Sequence, residues 1–337
     1  MRKMVSNVGD YAAYAALRVI ICIIQSTSLE RCERWSVLLA NLLHRWIGLR
    51  SALVRENLTR VFPDWTPQQT DRTTSAMWRH LLLLVCEIAH APRKIHRTNW
   101  YEHYQIADRK KILQVLLRTR PKIVVTGHFG NFELAGYLNG LFGFPSTTLA
   151  RPLDNTYVHE FITRFRSIGG QHFLAKDGSA QEIQRLLEAG GTLTLLADQD
   201  AGNRGCWVSF LGHPASCHKA LALFTLSNQA PMIVGVNKRL NRPLHFELNV
   251  TGVADPMVPG KHLESVQSLT QWYNDCLEIA IKKNPEQYWW LHRRWRDPPP
   301  RLRRASERTK RKDRESQPAQ GKYDENALTG EEQERAA

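Results

Sequence analysis

The sequence predicts an α/β protein: a mixed, largely parallel sheet flanked by helices, preceded by N-terminal helices that associate with a membrane. Three observations carry this expectation. From Pro121 onward, short β-branched runs alternate with helical stretches, the pattern of strands joined by crossover helices. Over residues 1 to about 100, apolar residues recur instead at helical spacing. The chain of 337 residues, 42% hydrophobic and 23% charged, is long enough to bury a substantial core.

The first apolar stretch, Tyr11 to Ile24, contains one charge, Arg18, and follows Arg2 and Lys3. As a helix rising about 1.5 Å per residue it covers ~21 Å, short of the roughly 30 Å hydrocarbon core of a bilayer. A second, Trp35 to Leu49, is broken by His44 and Arg45. Both fit helices that lie in, or dip into, the membrane interface. Two other readings stay open, amphipathic helices of a soluble core and a single marginal span by the first segment. QSTSLERCER offers no small-residue cleavage site, which argues against a signal peptide. Ten tryptophans suit a protein with surfaces that are apolar on one side and wet on the other. SALVRENLTRVF and Asp71 to Ala89, centred on LLLLV, complete a helical region over 1–100.

In the second region, 101–297, the expected strands are PKIVVTG, GTLTLLAD, PMIVGVN and HFELNVTG. The helices between and after them are FELAGYLNGLF, NTYVHEFITRFRSI, AQEIQRLLEAG, CHKALALFTLSNQ and LESVQSLTQWYNDCLEIAIKK. A third region, 298–337, lacks the apolar content to fold and is expected to be disordered. The net charge of +14 is uneven: Arg293 to Arg314 holds eleven Lys/Arg against three acids, whereas Glu315 to Ala337 holds six acids against two bases. The basic stretch suits anionic lipid or nucleic acid, and charge alone does not choose between them. The six cysteines are scattered without a C-x-x-C pair, so reduced thiols are expected rather than a disulfide scaffold. Cys206, His213, Cys217 and His218 match no zinc-finger spacing, and neither a metal nor a cofactor is expected.

The chemistry points to VVTGHFGNFELAG. On one uninterrupted helix His128 and Glu133 would lie about 140° apart and could not cooperate. Ile123-Val124-Val125 reads as a strand, however, and Gly127 and Gly130 break it before a helix that starts near Asn131. His128 then sits on a turn at the strand's carboxyl end, with Glu133 in the first helical turn, where the turn can bring the two side chains together. Open α/β sheets bind ligands at that end of their strands. A carboxylate beside one imidazole nitrogen fixes the tautomer and leaves the other nitrogen as a base. Such a pair suits removing a proton from a hydroxyl that attacks an activated carbonyl. No G-x-S-x-G, P-loop or H-E-x-x-H occurs, which argues against serine hydrolases, P-loop NTPases and zincins. A turn-capping histidine and an ordinary first-turn acid are the competing reading. Asp198 and Asp200 follow the strand GTLTLLA at its carboxyl end, either serving a ligand or capping a turn. Arg151 and Arg164 suit a phosphorylated substrate, since guanidinium grips phosphate in a bidentate way; solvent-facing arginines are the alternative.

GHFGNFELAG, ARPLDNTYVHEFITRFRSIGG, LLADQDAG followed by FLG, and PEQYWWLHRRW, in that order, resemble the late acyltransferases of lipid A biosynthesis, the lauroyl and myristoyl transferase family. The likeness runs from the N-terminal apolar segment to about Pro298. The wider superfamily, with its H-x4-D/E pair, includes glycerolipid and mycobacterial glycolipid acyltransferases. The resemblance implies a glycerolipid acyltransferase-like fold and transfer of an acyl chain from a thioester, on acyl carrier protein or coenzyme A, to a hydroxyl of a membrane glycolipid. His128 then matches the general base, Glu133 its partner, Arg164 a functional arginine and Asp198 a functional aspartate. Backbone N–H groups from Gly127 to Asn131 are the expected oxyanion donors. It also implies the inner membrane, with the catalytic domain on the cytoplasmic side, and no nucleic-acid partner. Cys217-His218-Lys219 and the charged tail depart from the shared pattern. An acyltransferase for another glycolipid or a lysophospholipid remains open, as does a non-catalytic protein binding anionic lipid or nucleic acid.

Overall fold

In the computed structural model, residues 2–297 are described apart from 169, 176 and 177, with only the backbone described at 2–6, 111 and 168. The expectation for 298–337 lies outside the described residues.

The chain begins with α1 (Arg2–Ser26), α2 (Leu29–Asn41), α3 (Ser51–Val61), α4 (Pro67–Lys94) and α5 (Trp100–His103). Local signals explain where these helices start. Ser28 accepts a hydrogen bond from the Arg31 N–H and caps α2. Thr66 and Gln69 form a capping box, with Pro67 in the first turn of α4, where its missing N–H costs nothing. α2 continues into a π-helical turn, Leu42–Ile47, that ends on left-handed Gly48. α1 is longer than the Tyr11–Ile24 core suggested. Its segment Asn7–Ser26, with a mean hydropathy of 1.4, is long and apolar enough to cross a membrane by length and composition, although one such helix is weak support.

β1 (Tyr104–Ile106) and α6 (Arg109–Leu116) lead into β2 (Lys122–Thr126), α7 (Phe132–Leu141), β3 (Ser146–Ala150), α8 (Thr156–Ile168) and β4 (Gln171–Ala175). Next come α9 (Ala180–Glu188), β5 (Thr192–Leu196), β6 (Cys206–Phe210), β7 (His213–Cys217) and α10 (Ala220–Ser227). β8 (Met232–Arg239), β9 (Phe246–Ala254) and α11 (Val266–Lys283) complete the layer. The seven-stranded sheet has the order β1-β9-β8-β2-β5-β3-β4. All its pairings are parallel except β8–β9. The four expected strands are β2, β5, β8 and β9, and they stand side by side in the sheet as β9-β8-β2-β5. β6 and β7 form a separate hairpin.

The core runs beneath this sheet from Ile123, Val125 and Leu193 to Leu277, Ile281 and Trp290. α3 ties the C-terminal segment down, because the Asn57 side-chain amide donates to the carbonyls of Trp290 and His292 at 2.9 and 3.0 Å. That placement brings the PEQYWWLHRRW segment to the carboxyl ends of the central strands.

Candidate active site

β2 ends at Thr126, and the chain must turn sharply to enter α7. Gly130 makes the turn possible: its φ is +58°, and a Cβ there would lie 1.9 Å from the Asn237 carbonyl oxygen. No side chain can replace that hydrogen. Asn131 then caps α7, accepting from the Leu134 N–H at 3.2 Å while donating to Glu87 Oε2 at 2.8 Å. Glu87 is fully buried on α4 and pairs with Arg239 at 2.6 Å. Its second oxygen accepts from Arg239 Nε at 2.8 Å and from the Leu244 N–H at 3.1 Å. His80, also on α4, reaches the Gly130 carbonyl at 3.2 Å and contacts Arg239. The turn is therefore held from beneath by a charged network whose hydrogen bonds are made, the condition under which burying it is tolerable.

His128 stands at the crest. Its Nδ1 lies 2.8 Å from Asp198 Oδ1, and its backbone N–H donates to Asp198 Oδ2 at 2.9 Å. An ionised carboxylate only accepts, so Nδ1 carries the proton and Nε2 presents a lone pair. The Gln199 amide sits 3.3 Å from that Nε2. The rings of Phe132 and Trp289 flank the imidazole with centroids at 4.9 and 6.1 Å. Gly127 keeps this approach open, since a Cβ there would lie 3.2 Å from Asp198 Cγ.

The Asp198 side chain is 0% exposed and that of His128 19%. Burial pushes the His128 pKa down, but the charge of Asp198, its hydrogen bond and the charge of Glu133 outweigh it and hold the imidazole above its ordinary value. Burial alone would raise Asp198. The charge and hydrogen bond of His128, helped by His292, carry it well below the usual carboxylate range. His292, half-buried nearby, is moved down by burial.

The carboxylate in contact with His128 is thus Asp198, not Glu133. The physical reason lies in where α7 begins. Glu133, in its first turn, points across to α8, where Arg166 grips it in a bidentate pair at 2.9 and 2.5 Å. Glu133 reaches His128 through its charge alone. Arg164 faces the other way, exposed and without a hydrogen bond or ion pair among the described residues. Two positions on a helix are about 200° apart, so one of the two arginines had to point outward. Helix phase relative to Glu133 was the signal in TRFRS that would have selected Arg166. Arg151 follows β3 at its carboxyl end and is exposed, 3.9 Å from an equally exposed Asp154. Asp200 pairs with Arg296 at 3.1 Å.

Four of the five expected oxyanion donors are already engaged. The His128, Phe129, Gly130 and Asn131 N–H groups are engaged by Asp198, Gly127, Gln287 and Asn237 respectively. The first-turn amides of Phe132 and Glu133 have no such partner among the described residues, as expected for the first N–H groups of a helix. Between α1, α4 and α8 lies a cavity of about 260 Å³. Leu17, Ile21, Ile88 and Phe161 line it with apolar surface, and Glu133 and Arg166 form part of its wall. Among the described residues no group of three or more His, Cys, Asp and Glu side chains is placed to hold a metal ion.

The arrangement is a single base, oriented by a buried carboxylate, without a nucleophile beside it. It can take a proton from a hydroxyl. A profile of the family described as bacterial lipid A biosynthesis acyltransferase matches residues 2–297. The lipid A biosynthesis palmitoleoyltransferase of Escherichia coli (strain K12) is 25% identical over 256 residues, covering 74% of this chain and 80% of that one. The lipid A biosynthesis acyltransferase of Shigella flexneri matches to the same extent, 25% over 256 residues. The lipid A biosynthesis lauroyltransferase of E. coli is 24% identical over 267 residues, covering 77% of this chain and 84% of its own.

Proposed function

Because the chain belongs to the bacterial lipid A biosynthesis acyltransferases, we propose that it moves a fatty acyl chain from an acyl thioester to a hydroxyl of a lipid A-type glycolipid, with His128 as general base. The donor is a thioester of acyl carrier protein or coenzyme A. The observation that carries the reading is the 2.8 Å contact between His128 Nδ1 and the buried Asp198, which leaves Nε2 facing outward as the base.

In the mechanism, Nε2 takes the proton from the acceptor hydroxyl as its oxygen attacks the thioester carbonyl. Asp198 fixes the tautomer and stabilises the imidazolium that forms. The free amides of Phe132 and Glu133, at the positive end of α7, receive the oxyanion. The tetrahedral adduct then collapses and expels the thiolate, which takes up the proton from His128. No acyl-enzyme is needed. Glu133 supplies a second negative charge toward His128, and Arg166 holds it in place. Arg151, exposed at the same edge of the sheet, is available for an acceptor phosphate. Asp200 and its partner Arg296 form the rim beside Asp198.

α1 supports work at a membrane: its apolar side chains Val19, Ile20 and Ile23 are more than half or about half exposed, at 59%, 52% and 50%. We place the protein on the inner membrane with the site on the cytoplasmic side, where soluble thioester donors are made. Mass spectrometry of lipid A from cells with and without the gene tests the reading. A mass difference of one acyl chain is expected, and unchanged acylation of every glycolipid overturns it.

A further inference from the structure

α2 and the π-helical turn after it carry an apolar ridge that nothing among the described residues covers. Trp35, Leu38, Leu42 and Trp46 recur at spacings of three and four, so they share one face, and exposed Leu49 follows just past left-handed Gly48. Their exposures are large, 46% for Trp35, 67% for Leu38 and 83% for Trp46. Exposed tryptophans in such a row suit a boundary between lipid and water.

The charges beside the ridge say what covers it. An open cleft of about 690 Å³ is lined by Arg45, Arg55 and Arg72, with Trp65 on its wall. Asp71, the one acid that lines it, is already engaged, as are Glu56 and Glu33 on the neighbouring helices. Asp71 accepts from His44 at 2.6 Å, Glu56 pairs with Arg60 at 3.1 Å and Glu33 pairs with Arg79 at 2.5 Å. Arg45, Arg55 and Arg72 have no carboxylate partner among the described residues. Arg45 belongs to the π-helical turn itself, one residue before Trp46.

We propose that this face is a docking surface for an anionic phospholipid bilayer, with the ridge in the interface and the three guanidinium groups on lipid phosphates. A neutral apolar partner would leave three cations unmatched. A phosphate-bearing surface satisfies both halves, because guanidinium binds phosphate in a bidentate way while the ridge loses its contact with water. The proposal rests on the reading that the protein works at a membrane, and it adds which face meets the bilayer and which lipids it selects.

Full-length protein reconstituted into phosphatidylcholine vesicles tests it, using excitation transfer from tryptophan to pyrene-labelled phosphatidylglycerol or pyrene-labelled phosphatidylcholine. Each surface guanidinium contributes about a fivefold preference for anionic lipid. Wild-type protein should therefore transfer markedly better to the phosphatidylglycerol probe. R45Q/R55Q/R72Q should lose that preference with an unchanged circular dichroism spectrum, and Trp46→Phe should lower transfer to both probes. Neutralising the basic tail instead, with R301Q/R303Q/R304Q, should leave the preference intact. A preference that survives the first triple variant, or vanishes with the tail variant, overturns the proposal. So does a ridge buried between two copies, seen as a stable dimer with no transfer from Trp46. Acyl transfer is read separately: an enzyme that acylates lipid A but shows no lipid preference sinks only this proposal.

Discussion

His128 holds its proton more tightly than a free imidazole because the nearby negative charges of Asp198 and Glu133 outweigh the effect of burial. A base must be unprotonated to act, so activity is lost as pH falls through a value above the ordinary ~6.5. Asp198→Asn removes the charge and lowers that pKa. We expect the acidic limb of kcat/KM to move to lower pH while kcat falls sharply, since an amide can also stabilise the wrong tautomer. A limb that stays in place would mean that Asp198 does not act on the base. His128→Ala should cost roughly a hundred- to ten-thousand-fold in rate. The double variant should be little worse than His128→Ala, because groups that act as a unit are not additive. Glu133→Ala should be severe but less complete, since it removes a charge that does not touch the imidazole and frees Arg166 rather than abolishing the base. Specific activity measured alongside a thermal melt separates these effects from misfolding.

At the scale of elements, the turn between β2 and α7 is the most constrained stretch in the fold. Gly130→Ala must place a methyl group against the Asn237 backbone as well as adopt a positive φ, whereas Gly143, at φ +84°, has nothing within 4 Å of its Cβ position. We expect Gly143→Ala to cost only the conformational strain, about 1 kcal/mol, and Gly130→Ala distinctly more, with loss of activity; thermal melts rank the two. Glu87→Ala leaves Arg239 as a buried cation and should cost about 3–5 kcal/mol, while replacing both partners by apolar residues of similar volume should recover much of it.

The same stretch explains what the sequence could reveal. β2, β5, β8 and β9 announce themselves as β-branched runs, and glycine punctuation puts His128 on a turn. β3 (STTLA) and β4 (QHFLA) do not, because they lack a β-branched apolar run and carry polar side chains that the sheet buries or leaves at its edge. The hairpin β6–β7 holds Pro214 and two cysteines and has no alternation to read. Which carboxylate meets His128 was not legible at all. Asp198 arrives from β5, the immediate neighbour of β2, and only the strand order makes it adjacent. His80, Glu87 and Arg239 were equally silent, since a polar or charged residue in an apolar helix or at the end of a strand looks the same whether it is paired inside or exposed.

On the scale of the whole molecule, α1 has two duties. It presents apolar residues outward, and with Leu17 and Ile21 it forms one wall of the cavity beside Glu133. Removing residues 2–26 should therefore weaken membrane attachment and impair transfer of long acyl chains even in detergent. For the intact chain, detergent but not high salt should release the protein, since ions screen charge and leave apolar insertion untouched. Full-length protein in the soluble fraction at low salt would contradict this.

The site is also closed by residues that come very late in the chain. Gly130 donates to the Gln287 carbonyl at 2.9 Å and the Trp289 N–H donates to the His128 carbonyl at 3.0 Å. Trp290 is buried at 1% exposure. A ribosome that has made His128, Glu133 and Asp198 has made the proposed reactive groups but not the clasp beside them. Nascent chains stalled before Pro285 should bind the membrane through α1 yet transfer no acyl chain, and release of the finished polypeptide should switch activity on. Such a switch would keep the proposed enzyme silent during its own translation, before a half-built site on the bilayer could hydrolyse a thioester donor to no purpose.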